Sequence, residues 1–320
     1  GGTAGVRHSE WRISGAAWSN GTPEKASVEG GRLAPQRPSE VGLYTTEALA
    51  ADFEFQALSV HWEPPAPPGS RVGVQVRISG DGKAWTPWRE VAEPDGGRED
   101  VSDRASGLHF ETGRYAQVRL TLDPGIATTA PTIERLRVHY FDARQGPTSA
   151  ELAAHAALAS KTNALQPPIV GRAAWGAPTD YVLWDACSSS GRSDQEGYIR
   201  PNAFAVHHTA DEHSDIDGAA WVRIVYNEHA NVLGWGDIGY HYVVDRNGVI
   251  YQGRTSGAPP AGYIAEGGHA LRYNCGSGAV VALGNYQPNI SVPLTALTPQ
   301  TRQSVVSIMA WLLHTYGIRP

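Results

Sequence analysis

The chain has 320 residues, of which 41% are hydrophobic and 18% charged, and its formal net charge is −6. This length predicts two domains rather than one, and this composition excludes a disordered chain. The negative charge, without a clustered Lys/Arg face, argues against nucleic acid as a partner.

The apolar runs and the cysteines bear on whether the protein spans a membrane and whether it holds a disulfide. No apolar run approaches the roughly 20 residues needed to cross a bilayer, so no membrane span is predicted. The chain opens Gly-Gly-Thr-Ala-Gly without Met or a signal pattern, which indicates a processed or cut start. Cys187 and Cys275 are the only cysteines. A disulfide between them and two unpaired thiols both stay open from the residues alone.

Residues 1–142 have the pattern of an antiparallel β domain. Several stretches alternate apolar and polar residues, as half-buried strands do. The turn clusters at 64–69 and 79–82 separate them and favour a β-sandwich. The predicted strands cover residues 53–62, 72–78, 115–122 and 133–141.

The hairpin Ile78–Trp88 resembles the strand-turn-strand of jelly-roll, galactose-binding-like modules, and the resemblance covers this hairpin alone. Five of the ten tryptophans belong to this domain: Trp11, Trp18, Trp62, Trp85 and Trp88. Exposed tryptophans stack on sugar rings, but in a small sandwich a core position is the more common one, and we favour it.

Residues 143–168 are predicted to be a linker with a short helix. The segment 151–160 is Ala-rich and helix-prone, and Pro167-Pro168 ends it. A semi-rigid spacer is the simplest interpretation. From residue 169 to 320 the pattern is α/β, with a mixed central sheet flanked by helices. The predicted fold class is therefore α+β multidomain.

The second domain alternates short apolar runs with helical periodicity. A strand at 204–210 precedes a helix over 217–232 that Asp215 or Asp217 caps. The strands 240–245 and 249–253 flank Asn247-Gly248, a strong hairpin signal. A strand at 279–283 and a helix at 299–316, capped by Thr298, complete the domain.

The run Phe204-Ala205-Val206-His207-His208 ends on two adjacent histidines. Successive strand side chains point to opposite faces, so Phe204 and His208 share one face while His207 lies on the other. The two histidines therefore cannot have the same role.

Five sequence blocks resemble, in order and spacing, the peptidoglycan recognition protein and type 2 N-acetylmuramoyl-L-alanine amidase family. The resemblance runs from Ile169-Val170-Gly171-Arg172 to Pro320, nearly half the chain. The blocks that carry it are His207-His208, Gly234-Trp235-Gly236-Asp237-Ile238-Gly239-Tyr240-His241-Tyr242, Asp245–Arg254, Gly268-His269-Ala270-Leu271-Arg272-Tyr273-Asn274 and Val281–Tyr286.

The resemblance implies a zinc hydrolase that cuts the amide between N-acetylmuramic acid and the L-Ala of the peptidoglycan stem. It assigns His207 as a zinc ligand and Tyr240 as the catalytic residue beside the metal. The expected substrate contacts are His208, Trp235, Arg254, His269 and Asn274. The alternative role for His208 is that of a packed, hydrogen-bonded histidine. His241 is expected either in the wall of the substrate groove or in the core, with neither position favoured. Tyr251 and Tyr273 are predicted to lie in the core.

The expected metal site departs from the family pattern. Family enzymes complete the Zn²⁺ site after the last helix, with a His and then a Cys or Asp, and this sequence ends at Pro320, where that region would begin. His314 is interpreted as a helix residue. With one convincing ligand, His207, the site is expected to be incomplete, because zinc takes three or four protein ligands. The domain at 169–320 is therefore expected to be C-terminally incomplete.

Three interpretations follow. The chain is a fragment of an amidase, a non-catalytic peptidoglycan-recognition relative, or one part of a site that another chain completes. We expect an amidase by ancestry, inactive as this chain, with recognition as the alternative. Peptidoglycan or muropeptide is the expected partner, with cell-wall glycan at the N-terminal domain. Because peptidoglycan lies outside the cytoplasmic membrane, the expected location is secreted or cell envelope, and a Cys187–Cys275 disulfide agrees with it.

Overall fold

The computed structural model describes residues 5–91, 105–157, 165–211, 216–255, 257–288 and 293–319. The described residues within 7–142 form an N-terminal unit, and those from Ala143 onward form most of a C-terminal unit. No helix among these residues is long and apolar enough to cross a membrane.

The N-terminal unit is built from antiparallel strands. Its main sheet has the order β1-β10-β6-β9-β5-β2, with β7 pairing on both β9 and β8, and β3 pairs with β4. The strands are β1 (Arg7–Ser14), β2 (Thr22–Glu24), β3 (Ala26–Glu29), β4 (Arg32–Pro35), β5 (Gly42–Thr45), β6 (Leu49–Glu63), β7 (Arg71–Ser79), β8 (Arg89–Glu90), β9 (His109–Asp123) and β10 (Arg135–Asp142).

Alternation along the long strands explains this core. In β9, Val118, Leu120 and Leu122 are fully buried, while the residues between them are half-buried. Trp18 and Trp62 are buried in the same core, as we favoured, but Trp85 and Trp88 are only half-buried. The prediction that tryptophans lie in the core is therefore wrong for the two tryptophans of the Ile78–Trp88 hairpin.

The C-terminal unit holds a mixed sheet with the order β12-β16-β13-β14, in which only the β13–β14 pair is antiparallel. With the N-terminal unit, it confirms the predicted fold class. Its elements are α1 (Ser149–Ala157), α2 (Arg172–Trp175), α3 (Ala186–Ser189), β11 (Tyr198–Ile199), β12 (Ala203–His208), α4 (Gly218–Asn227), β13 (Tyr242–Val244), β14 (Ile250–Gln252), β15 (Ile264–Ala265), β16 (Ser277–Ala282) and α5 (Pro299–Tyr316).

Both long helices begin at side-chain caps. Asp217 Oδ1 accepts hydrogen bonds from the backbone N–H groups of Ala219 and Ala220, and Thr298 Oγ1 accepts one from Thr301. Of the two cap candidates for α4, the structure selects Asp217; Asp215 lies outside the described residues. Helix α4 is also shorter than predicted, because residues 228–232 form a π-helical turn instead of continuing it.

Residues 143–157 of the predicted linker pack against the rest of the C-terminal unit. Ser149, the first residue of α1, donates its N–H to Asp217 Oδ2 at 3.0 Å, and its Oγ accepts from Ala219 N and from the Tyr251 hydroxyl, each at 3.0 Å. Arg223, which is 1% exposed, donates to the carbonyl oxygens of Ala143 and Pro147. These bonds attach residues 143–157 to α4 and β14.

Cys187 and Cys275 form a disulfide, with their Cα atoms 5.3 Å apart and 88 positions between them in the sequence. Cys187 is fully buried beside Ile199 and Phe204 in the core under α5. The bond therefore ties α3 to the loop that leads into β16.

Reduction of this disulfide is expected to lower the free energy of unfolding by about 2–4 kcal/mol, because it frees a long loop of the unfolded chain. The measurement is urea unfolding with and without a phosphine reductant, with the thiols counted by alkylation and mass. The matched control is the Cys187→Ala/Cys275→Ala variant, whose unfolding should not respond to reductant. An unchanged midpoint in a fully reduced sample would contradict the expectation.

Candidate functional site

Strand β12 carries His207 and His208 to its carboxyl end. It pairs in parallel with β16, so that His207 lies opposite Val281 and His208 opposite Ala282. Phe204 is buried against α5, and alternation places His208 on that same face and His207 on the other. The unequal environments expected for the two histidines follow from this geometry.

His207 is bound to His269. Nε2 of His207 lies 3.0 Å from Nδ1 of His269, and Nε2 of His269 lies 3.1 Å from the carbonyl oxygen of Ser277. A carbonyl only accepts, so His269 carries its proton on Nε2 and accepts at Nδ1. His207 must then donate from Nε2, which leaves its Nδ1 as the lone-pair nitrogen. The loop containing His269 thus sets the tautomer of His207.

His241 continues this group of rings. Its Nδ1 accepts from Ala279 N at 3.0 Å, and its Nε2 lies 2.8 Å from the Ala265 carbonyl oxygen, to which it donates. It is 3% exposed, so of the two interpretations the core one is observed. Gly267 packs between two of the rings: a Cβ there would lie 2.7 Å from His241 and 2.9 Å from His269, closer than any side chain allows.

Burial keeps these histidines uncharged. Desolvation lowers the pKa of His241 to about 4 and that of His269 to about 3. The pKa of His207 is also lowered, first by burial and then by the neighbouring His208. At neutral pH these three rings are therefore neutral imidazoles.

Tyr240 lies in the turn beside the His269 loop. The two are joined by a backbone hydrogen bond of 3.0 Å from Gly268 N to Gly239 O. The Tyr240 ring, which is half-buried, lies 5.4 Å from the ring of His229. The turn of Tyr240, the predicted catalytic residue, is thus hydrogen-bonded to the loop of His269, which in turn contacts His207.

His229 is a member of this group that sequence reasoning missed. Gly239 N donates to its Nδ1 at 3.1 Å, so the neutral ring carries its proton on Nε2, and burial lowers its pKa to about 3. It lies in the π-helical turn 228–232, and such turns occur often at functional sites. The sequence shows only a polar residue after an apolar helix, which does not distinguish it from a surface histidine.

Three of the predicted substrate contacts are buried behind the site. Arg254 is 3% exposed and donates to Asp237 Oδ2 at 3.1 Å, while Arg172 donates to Asp237 Oδ1 at 2.9 Å. Asn274 is fully buried and accepts from the N–H groups of His269 and Ala270. Trp235 is 6% exposed. These three side chains have almost no exposed surface, and their contact with substrate stays a prediction.

The other two predicted contacts differ from each other. His269 is brought into hydrogen-bond contact with His207, whereas His208 lies on the opposite face, where its Nδ1 accepts from Tyr286 N at 3.1 Å. His208 therefore holds the loop that follows β16 instead of joining His207. Of the two residues predicted to be core, Tyr251 is buried and Tyr273 is 74% exposed, so the second prediction is wrong.

The described residues do not fit a complete zinc centre. Within them, no three His, Cys, Asp or Glu side chains converge as metal ligands would. His207 and His269 approach each other most closely, but their contact is a hydrogen bond that occupies one nitrogen of each ring. His207 Nδ1 is the one nitrogen of this pair with the chemistry of a ligand.

Comparison with known proteins agrees with this architecture. A family model described as N-acetylmuramoyl-L-alanine amidase matches residues 197–320. The endolysin of Escherichia phage T7 is 30% identical over 115 residues, which are 36% of this chain and 68% of the endolysin. Peptidoglycan-recognition protein SC2 of Drosophila simulans is 29% identical over 33% of this chain and 54% of its own length.

One solved structure, bumblebee PGRP-SA, aligns over 48% of this chain and 79% of its own, at 20% identity and a TM-score of 0.36. The chain spans about half the length of the curated relatives it matches first. By the family model and the phage relative, the chain belongs to the N-acetylmuramoyl-L-alanine amidase family, whose relatives include amidases and peptidoglycan-recognition proteins.

The buried histidines predict a pH dependence of stability. Because the pKa of His241 falls from 6.5 in the unfolded chain to about 4 on folding, the native state binds fewer protons between these values. Stability is then full above pH 6.5 and is lost as the pH falls towards 4, by up to about 1.4 kcal/mol per pH unit for one such group. Urea unfolding at pH 7.0, 6.0 and 5.0 measures this slope.

The variant His241→Gln should show a smaller slope, whatever its stability at pH 7. The control is His155→Gln, which removes an exposed histidine of α1 in the same unit. Its free energy of unfolding should change with pH as steeply as that of the natural chain. An equal slope in H241Q and the natural chain would contradict the assignment.

Proposed function

We propose that the C-terminal unit binds peptidoglycan muropeptides at the surface formed by His207, Tyr240 and His229. The observation that carries this proposal is the His207–His269 hydrogen bond at the end of β12. It fixes His207 in one tautomer, with a nitrogen lone pair at the strand end. Family membership supports muropeptide as the ligand.

The polar groups at this surface suit an amide substrate. His229 has a donor at Nε2, Tyr240 has a hydroxyl group, and His207 has an acceptor at Nδ1. The pKa shifts of the two histidines are downward, so neither ring carries charge at neutral pH. Neutral donors and acceptors match the N–H and C=O groups of a peptide stem better than they match an ion.

The reaction that we propose for the completed family site is hydrolysis of the amide between N-acetylmuramic acid and L-Ala. Zinc-dependent hydrolysis needs more protein ligands than His207, and the described residues do not supply them. We therefore propose that the 320-residue chain binds muropeptide and does not release the stem peptide. A non-catalytic recognition protein is the second candidate, supported by the same observation.

A soluble muropeptide should bind the full chain, and His207→Ala should weaken binding by about fivefold, the effect of losing one hydrogen bond of about 1 kcal/mol. Calorimetric titration measures the affinity. The control is His314→Ala, an exposed histidine of α5 that removes the same ring and should leave affinity unchanged.

The same samples with added zinc should yield no free stem peptide by mass spectrometry. Release of the peptide would overturn the proposal that this chain does not hydrolyse. Equal affinity in H207A and the natural chain would overturn the location of the site.

For the N-terminal unit we propose binding to cell-wall glycan, which also places the protein outside the cytoplasmic membrane. The half-buried Trp85 and Trp88 support it, because they lie on the outer side of β7 and β9 with Arg77 at 5.0 Å and 4.7 Å from their rings. Arg119 lies 4.1 Å from Trp88. Partly exposed aromatic rings with adjacent donors are suited to sugars.

Retention of the full chain on purified sacculi should fall in the variant Trp85→Ala/Trp88→Ala, because the aromatic surface is removed. Val41→Ala, which shortens a residue that is 44% exposed in the same unit, is the control and should be retained like the natural chain. Undiminished retention of the double variant would contradict glycan binding at this surface.

A further inference from the structure

An open pocket of about 350 Å³ lies at the start of β12 and β16, at the opposite end of these strands from His207. Ala203 and His207 are four positions apart along β12, which places the floor of the pocket about 13 Å from the histidine, at roughly 3.3 Å per residue. The residues that line it are Arg192, Asn202, Ala203, Arg272, Tyr273, Cys275, Gly276 and Ser277. The family comparison assigns nothing to this pocket.

The pocket is cationic in a chain of negative net charge. Two guanidinium groups, of Arg192 and Arg272, line it, and none of the lining residues is acidic. The chain as a whole carries a formal charge of −6. Guanidinium groups favour carboxylate and phosphate oxygens, to which they donate charge-assisted hydrogen bonds.

The loop that presents Arg272 and Tyr273 is held on both sides. Asn274 Oδ1 accepts from Ala270 N at 3.0 Å, and Ser277 Oγ donates to the Tyr273 carbonyl oxygen at 2.8 Å. The disulfide fixes the chain at Cys275, directly after Asn274. Arg192 Nη2 donates to the Sγ of Cys275 at 2.7 Å. A loop fixed in this way loses little freedom when a ligand binds.

Arg272 itself has a strained backbone, with φ of 74° in the left-handed region. For a residue with a long side chain this conformation is unfavourable, and such residues cluster at functional sites. Beside it, Tyr273 is 74% exposed and Leu271 is 48% exposed. An aromatic ring and two guanidinium groups are thus presented together to solvent.

We propose that this pocket binds a sugar that carries a carboxylate, with the sugar ring against Tyr273 and the carboxylate on Arg192 and Arg272. The choice of sugar rests on the proposed function. Addition of water across the muramyl–alanine amide leaves an amine on the peptide and a carboxylate on the sugar. The pocket would therefore hold N-acetylmuramic acid whose stem peptide has been removed, which is the glycan product of the family reaction.

The test compares N-acetylmuramic acid with N-acetylglucosamine, which lacks the lactyl carboxylate. Titration of the full chain, followed by backbone amide chemical shifts, should show the acid bound and the neutral sugar at least about tenfold weaker. The shifts should move at Asn202, Tyr273 and Gly276 and not at Thr209 or Tyr240. Added salt should weaken binding, because the contact is ionic and exposed.

Arg272→Gln and Arg192→Gln should each weaken binding of the acid by about tenfold, whereas Arg302→Gln, an exposed arginine of α5, should not. Equal binding of the two sugars, or no effect of either pocket variant, would overturn the proposal. An unchanged affinity for muropeptide in H207A would instead contradict the proposed function. That measurement is independent of this one, because it uses a different ligand and a site at the other end of the sheet.

Discussion

The central strand β16 is the element on which the C-terminal unit depends. All six of its residues are buried, and it pairs in parallel with β12 on one side and β13 on the other. Its backbone also supplies partners for two site histidines: the Ser277 carbonyl accepts from His269, and Ala279 N donates to His241. Because sheet pairing fixes these backbone atoms, it also fixes the two rings and, through His269, the orientation of His207.

Burial decides the electrostatic character of the site. Desolvation lowers the pKa values of His207, His229, His241 and His269, so these rings act through hydrogen bonds and lone pairs instead of charge. Charge is found behind them, where Asp237 lies between Arg172 and Arg254 with 1% of its surface exposed. Removing one partner of such a buried pair typically costs about 3–5 kcal/mol. This ion network holds the segment before Tyr240 in position.

The two ends of β12 and β16 have opposite chemical character. At the carboxyl end of β12, His207 and the His269 ring bonded to it are neutral imidazoles, which suit an amide. At the amino ends are two guanidinium groups and an exposed tyrosine, which suit an acid sugar. The loop from His269 to Ser277 joins the two ends, because its first residue contacts His207 and its last residues line the pocket. The sheet thus keeps the proposed peptide site at His207 and the proposed acid-sugar site at Arg192 and Arg272 at a fixed distance from each other.

The elements with a strong local signal were predictable from the sequence alone. Thr298 is a side-chain cap followed by Pro at the first helical position, and α5 begins and ends where the periodicity predicts. Asn247-Gly248 marks the β13–β14 turn, and strand alternation separates His207 from His208 before any coordinates are known.

Only the tertiary structure decided which polar residues meet. His229 and Tyr240 are 11 positions apart and His207 and His269 are 62 apart, so no local pattern indicates their contact. Arg254 looks like a surface contact in the sequence, and it is buried because Asp237 and Trp184 surround it. Tyr273 looks like core, yet 74% of it is exposed. Local sequence determines hydrogen bonding within an element, whereas burial depends on partners that only folding brings together.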